Sequence, residues 1–194
     1  MRWMNEPRWS LGAHGMDTLG AHGMDTQSLR VQTDDHTDFW RETHYGFVRD
    51  SGHFLHTDRM HDFTAQVRVE GQYQARYDQA GLMVRSGPEQ WVKAGVEFVG
   101  EQQVSAVVTR EFSDWNVSPV GLPDHIDLKL TRRGNALSVQ VRLPGHDWGL
   151  LRLAYYPPEL PAEVGIYACS PERAGFEVRF SSFQLGPPDA GPLY

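Results

Sequence analysis

The chain of 194 residues has one cysteine, Cys169. A lone thiol forms no internal disulfide and supplies no cysteine-rich zinc site, so the fold must rest on packing. The N-terminus MRWMNEPRW lacks the ~7–15-residue apolar stretch of a signal peptide, and no window approaches the ~18 apolar residues of a membrane span. Together with the single thiol, these absences predict a cytoplasmic, reducing setting. Basic residues are in deficit, 18 Lys and Arg against 25 Asp and Glu, for a net charge of −7. That argues against nucleic acid or an anionic membrane as partner, since both need basic surface to meet phosphate. No segment holds a 3.6-residue apolar period for three turns. GxSxG, HExxH, GxxxxGK and a GxGxxG after a strand are all missing, so no nucleophile elbow, zincin helix or phosphate cradle stands out. Glycine (19) and proline (12) stay below the ~25–30% of a low-complexity chain.

What is present is period 2. Phe63, Ala65, Val67 and Val69 alternate with polar residues, as do Ile126, Leu128 and Leu130, then Leu137, Val139, Val141 and Leu143, then Phe176, Val178 and Phe180. Period 2 marks strands with one face buried and one face wet. The separators are turn-formers such as Ser86-Gly87-Pro88, Gly134-Asn135 and Pro157-Pro158. Strands recurring at this spacing predict an antiparallel all-β domain of two packed sheets, with a small barrel as the competing architecture. The length fits one domain, over residues 1–185, with a loosely held tail at 186–194. LGAHGMDT occurs at Leu11–Thr18 and again at Leu19–Thr26. Two copies of eight residues are too few for a solenoid, so 11–26 reads as a lengthened loop. His14, Asp17, His22 and Asp25 are acceptable metal ligands, but a glycine-rich loop would have to be ordered by the ion.

Three places carry candidate chemistry. On Trp91–Val99 the core face is Val92, Ala94, Val96 and Phe98. The opposite face presents Trp91, Lys93 and Glu97, with Gly95 leaving a gap through which a ligand can reach the backbone. Trp91 is a platform for a sugar ring; the plainer alternative is a solvated face with cross-strand charge pairs. The stretch from Thr37 to Phe63 concentrates Trp40, Arg41, His44 and Tyr45, with His36, His53, His56 and His61. His53 and His56 point to opposite faces of a strand, which spoils the simplest metal pairing, so neither metal nor cofactor is expected. Arg110 to Trp115 reads as a loop tipped by aromatics. Cys169, in an apolar run, reads as a buried structural thiol.

The stretches TDFWRETHYGF, YDQAGLMVR, WVKAGVEFV, SAVVTREFSDW and GIYACSP resemble the bacterial and fungal family called domain of unknown function 1349, over nearly the whole chain. The resemblance implies the jelly roll of the concanavalin A-like lectins and glucanases, two curved antiparallel sheets, and favours sandwich over barrel. Jelly-roll glucanases use two carboxylates ~5–9 Å apart. Here Glu97 stands alone, with Lys93 where a partner would be. A carboxylate beside a cation is expected to be ionised and a poor general acid. The expectation is therefore a non-catalytic module whose concave sheet binds a carbohydrate or similar polar metabolite. Trp40, Trp91 and Trp115 would stack, with Tyr45 beside them. Arg41, His44, Gln79, Lys93, Glu97 and Arg110 would bond hydroxyls or anions. The alternatives are a sugar hydrolase or isomerase with Glu97 as acid/base, and a protein-interaction module, at which the family's description as enolase regulators hints.

Overall fold

The computed structural model describes residues 1–12 and 28–193. The regular structure in them is strand alone, so no described helix is long and apolar enough to cross a membrane. Sheet one runs, in spatial order, β1 (Arg2–Met4), β6 (His53–Arg59), β15 (Ala162–Cys169), β8 (Gln79–Gly87), β9 (Gln90–Phe98), β10 (Gln102–Arg110) and β11 (Phe112–Gly121). Sheet two runs β14 (Gly149–Tyr155), β13 (Ala136–Arg142), β12 (Ile126–Arg133), β7 (Phe63–Gly71), β16 (Glu177–Gly186), β3 (Leu29–Gln32) and β2 (Trp9–Leu11). All pairings are antiparallel, and the two sheets form a sandwich rather than a closed barrel.

The alternation places the core. Leu82 and Val84 of β8, Val92 and Val96 of β9 and Ile166 of β15 pack against Val67 and Val69 of β7, Leu128 and Leu130 of β12 and Phe180 of β16. Each such side chain contributes ~1.5–3 kcal/mol on leaving water. A second apolar cluster lies on the other face of sheet one: Phe39, Trp40, Phe54, Met83, Trp91, Val107, Tyr167 and Cys169. It is roofed by a two-stranded hairpin, β4 (Phe39–Arg41) and β5 (Val48–Asp50). β9 is therefore buried on both faces from Trp91 to Glu97.

That roof corrects two expectations. Trp91 is no platform: it is 1% exposed, lies 6.3 Å from the Phe39 ring and donates its indole N–H to Pro88 O at 3.2 Å. Gly95 opens no path for a ligand either. It pairs with Gly81, which in turn pairs with Tyr167, and a Cβ at Gly95 would stand 2.9 Å from the Tyr167 hydroxyl. A Cβ at Gly95 would also strike the Ala80 carbonyl, and one at Gly81 the Ala94 carbonyl, so the missing side chains let the paired backbones approach. Cys169 is buried in the same cluster, and burial pushes its thiol far above its ordinary range.

Ion pairs and hydrogen bonds pin the hairpin down. Arg85 donates to both carboxylate oxygens of Asp50 at 2.8 Å. Arg41 donates its backbone N–H to Ser113 Oγ and its Nε–H to Glu111 O, both at 2.9 Å. The turn passes through left-handed residues at Glu42, His44 and Gly46. The residues after β16, expected to be loosely held, make named contacts: Lys129 Nζ meets Asp189 at 2.8 Å and Gln140 donates to Leu193 O at 3.0 Å. Most of the LGAHGMDT repeat, from residue 13 on, lies outside the described residues.

Candidate functional site

Beside the roofed cluster, the same face of sheet one opens into a cavity of about 950 Å³. Its floor follows from register. Gln79 on β8 pairs with Glu97 on β9, Lys93 pairs with Val107 on β10, and Val107 pairs with Trp115 on β11. Paired strands lie ~4.8 Å apart, so alternation on four strands brings these side chains to one surface. The hairpin supplies the facing wall, with Trp40, Tyr45 and Phe47.

Six of the ten sequence candidates thus line the cavity: Trp40, Tyr45, Gln79, Lys93, Glu97 and Trp115. Four do not. Trp91 is under the hairpin. Arg41 is turned to Glu89, with 2.8 Å between Nη2 and the carboxylate, and to the Glu111 carbonyl. His44 is exposed at the hairpin turn, edge-on to Tyr45. Arg110 is exposed at the end of β10, its guanidinium 5.6 Å from the Tyr155 ring centre.

Lys93 is buried, and its ammonium is committed. It donates to Phe39 O at 2.7 Å and Gln79 Oε1 at 2.7 Å, and approaches Asp38 Oδ1 at 3.4 Å. Its charge anchors the hairpin instead of facing a ligand. Glu97 is buried too, and burial raises its pKa above the ordinary carboxylate value. Lys93 pulls the other way, as do hydrogen bonds from the Ser105 hydroxyl and the Trp115 indole N–H, but desolvation outweighs them. Burial thus works against the lowering effect of the cation on which the expectation of an ionised Glu97 rested.

The wall is aromatic and partly open. Trp40 meets Trp115 edge-on at 6.2 Å and Tyr45 at 5.5 Å, and Tyr45 stacks on Phe47. Trp115 is 37% exposed and Tyr45 43%, so both rings reach solvent. The Tyr45 hydroxyl lies 3.4 Å from that of Tyr77, which joins the hairpin turn to the loop before β8; this contact pushes the Tyr45 phenol up to about 12.

Sequence reading missed Asp38, Ser105, Val107 and Tyr77 as parts of this site. Ser105 and Val107 were legible in principle, because they alternate with Val104, Ala106 and Val108 on β10. Asp38 is the second carboxylate near Glu97, but it already accepts from Phe39 N–H at 2.8 Å and faces Lys93. Asp114 pairs with Arg152 at 3.5 Å and Asp50 with Arg85. Among the described residues His56, Asp58 and Glu163 offer ligand atoms within 4.8 Å of one another. Arg2 occupies that cluster, donating to both Asp58 oxygens at 3.0 and 2.7 Å. His53 points the other way, with Nδ1 2.6 Å from Asn5 O and Nε2 accepting from Asp34 N–H, so it brackets loops.

A family model for a protein of unknown function, DUF1349, matches residues 21–188. The chain is 42% identical over 188 residues to "Regulation of enolase protein 1" of Saccharomyces cerevisiae, covering 96% of this chain and 89% of that one. A crystal structure of a functionally unknown protein from Saccharomyces cerevisiae superposes with a TM-score of 0.86 at 40% identity, over 97% of both chains. A variant of the GH43 protein BlXynB from Bacillus licheniformis superposes with a TM-score of 0.65 at 13% identity, over 83% of this chain and 33% of that one. This last likeness covers a third of the larger protein and shows the β-sandwich fold alone. On the family match and the identity to the yeast protein, the chain belongs to the DUF1349 family.

Proposed function

We propose that the cavity beside the β4–β5 hairpin binds a carbohydrate or similar polyhydroxylated metabolite without transforming it. The observation that carries the reading is the pairing of half-open rings, Trp115 and Tyr45, with a sunken polar floor of Gln79 and Glu97. Apolar walls around a few fixed polar groups suit a small ligand, and ring faces suit the C–H faces of a sugar. A non-catalytic role is supported by the carboxylates. Glycosidases work with two, one to donate a proton and one to attack or activate water. Asp38 and Asp50 are ion-paired here, which leaves Glu97 on the floor, with Glu172 out at the exposed lip. The lone buried thiol suits a reducing compartment such as the cytoplasm.

Calorimetry against a panel of mono- and disaccharides tests this. A binder is expected whose affinity falls at least tenfold in Trp115→Ala, with the sugar recovered unchanged by chromatography. Conversion of the bound sugar would instead favour an enzyme using Glu97 as acid/base. A protein-interaction role has its own support in the exposed apolar residues Phe112, Leu122, Leu153 and Tyr155, and in the name of the yeast relative. Purified enolase, titrated against this chain, would bind in that case.

A further inference from the structure

We propose that the ligand of this cavity carries a positively charged amine, so that amino sugars, and organic ammonium groups generally, are preferred over neutral sugars and sugar phosphates. The inference rests on the cavity being a ligand site and specifies what enters it.

It follows from which charges are already matched. An anionic ligand needs a free cation at the floor, and none is free there. Lys93 is held by Phe39 O, Gln79 Oε1 and Asp38. Arg85, beneath the hairpin, is held bidentately by Asp50. Arg41 is turned away to Glu89. Arg49 is exposed at the lip, packed 4.9 Å from the Phe47 ring centre, with Glu172 exposed at the same lip.

Glu97 is the opposite case. It is buried, and its named hydrogen-bond donors are both neutral, a hydroxyl and an indole N–H. Among the described residues it makes no ion pair, and Lys93 acts on it only at a distance. A buried carboxylate with neutral donors is costly to ionise and gains most from an incoming cation. The groups beside it suit the same ligand. Trp40, Tyr45 and Trp115 form one cluster of touching rings, and an ammonium within ~6 Å of such a ring face is attracted by its negative quadrupole. A phosphate would meet the same carboxylate and rings on the floor, while Arg49, the lining cation in no ion pair among the described residues, stands out at the lip.

The test is calorimetry at neutral pH with four probes: glucosamine, glucose, glucose 6-phosphate and choline, each against wild type, Glu97→Gln and Trp115→Ala. Glucosamine is expected to bind at least tenfold tighter than glucose, choline to compete with it, and the phosphate to bind worst. In Glu97→Gln, which keeps side-chain size and removes charge, the preference should shrink toward one. If glucose or its phosphate binds as well as glucosamine, with all affinities lost in Trp115→Ala, the amine preference is wrong and the site stands. If no probe binds, or Trp115→Ala leaves binding unchanged, the site itself is wrong and the inference falls with it.

Discussion

Replacing Lys93 by Met tests the roof of the cavity. Met keeps a long unbranched side chain, so the change removes charge and hydrogen bonds with little change of volume. In the wild type the ammonium donates to Phe39 O and Gln79 Oε1, both at 2.7 Å, and Lys93 is 3% exposed, so water does not replace it. Each buried acceptor left unmatched costs ~1–3 kcal/mol. Asp38 keeps its bond from Phe39 N–H but loses its cation. Removing one partner of a buried pair costs ~3–5 kcal/mol, and that is the destabilisation expected here. For a chain of this size it lowers Tm by about 6–20 °C. Urea denaturation and calorimetry give the number. Hydrogen exchange should show the loss of protection concentrated in residues 38–51, because Lys93 ties that segment to sheet one while the ladders within both sheets stay intact. A loss under ~1 kcal/mol, or one spread evenly over both sheets, would refute the assignment of Lys93 as the hairpin's anchor.

Further outcomes are expected. Glu97 has a raised folded-state pKa, so its contribution to the stability of the ligand-free protein is fully present below the unfolded carboxyl value of ~4.3 and is lost as pH rises through the folded value. Glu97→Gln should therefore gain stability relative to wild type with rising pH in urea titrations, and parallel curves would contradict this. Asp78 is fully buried, accepts from Ser170 Oγ at 2.6 Å and pairs with Arg173 at 2.6 Å. Asp78→Ala should cost ~3–5 kcal/mol and is checked by denaturant midpoint. Deleting Leu19–Thr26 should leave Tm within a few degrees, since about 0.6 kcal/mol of closure entropy is at stake; a collapse in scanning calorimetry would show that the repeat packs as part of the fold.

Alternation along the chain is enough to place the strands and their faces. Alternation on β9 assigns Val92, Ala94 and Val96 to one side and Trp91, Lys93 and Glu97 to the other, and both sides are where that pattern puts them. Tertiary structure alone decided what covers the second side. The hairpin that roofs Trp91 and takes the Lys93 ammonium comes from Phe39, 54 residues away along the chain. Period 2 is a local signal: it tells which side chains share a face, but not which distant segment lies on that face. Trp91 and Glu97 therefore looked equivalent in the sequence, yet one became core and the other the floor of a cavity. The same limit applies to charge. A Lys and a Glu four residues apart on one strand face suggested an ordinary carboxylate beside a cation. The fold supplied Phe39 O, Gln79 and Asp38 to the lysine and drew the glutamate out of water, so burial outweighs the nearby charge.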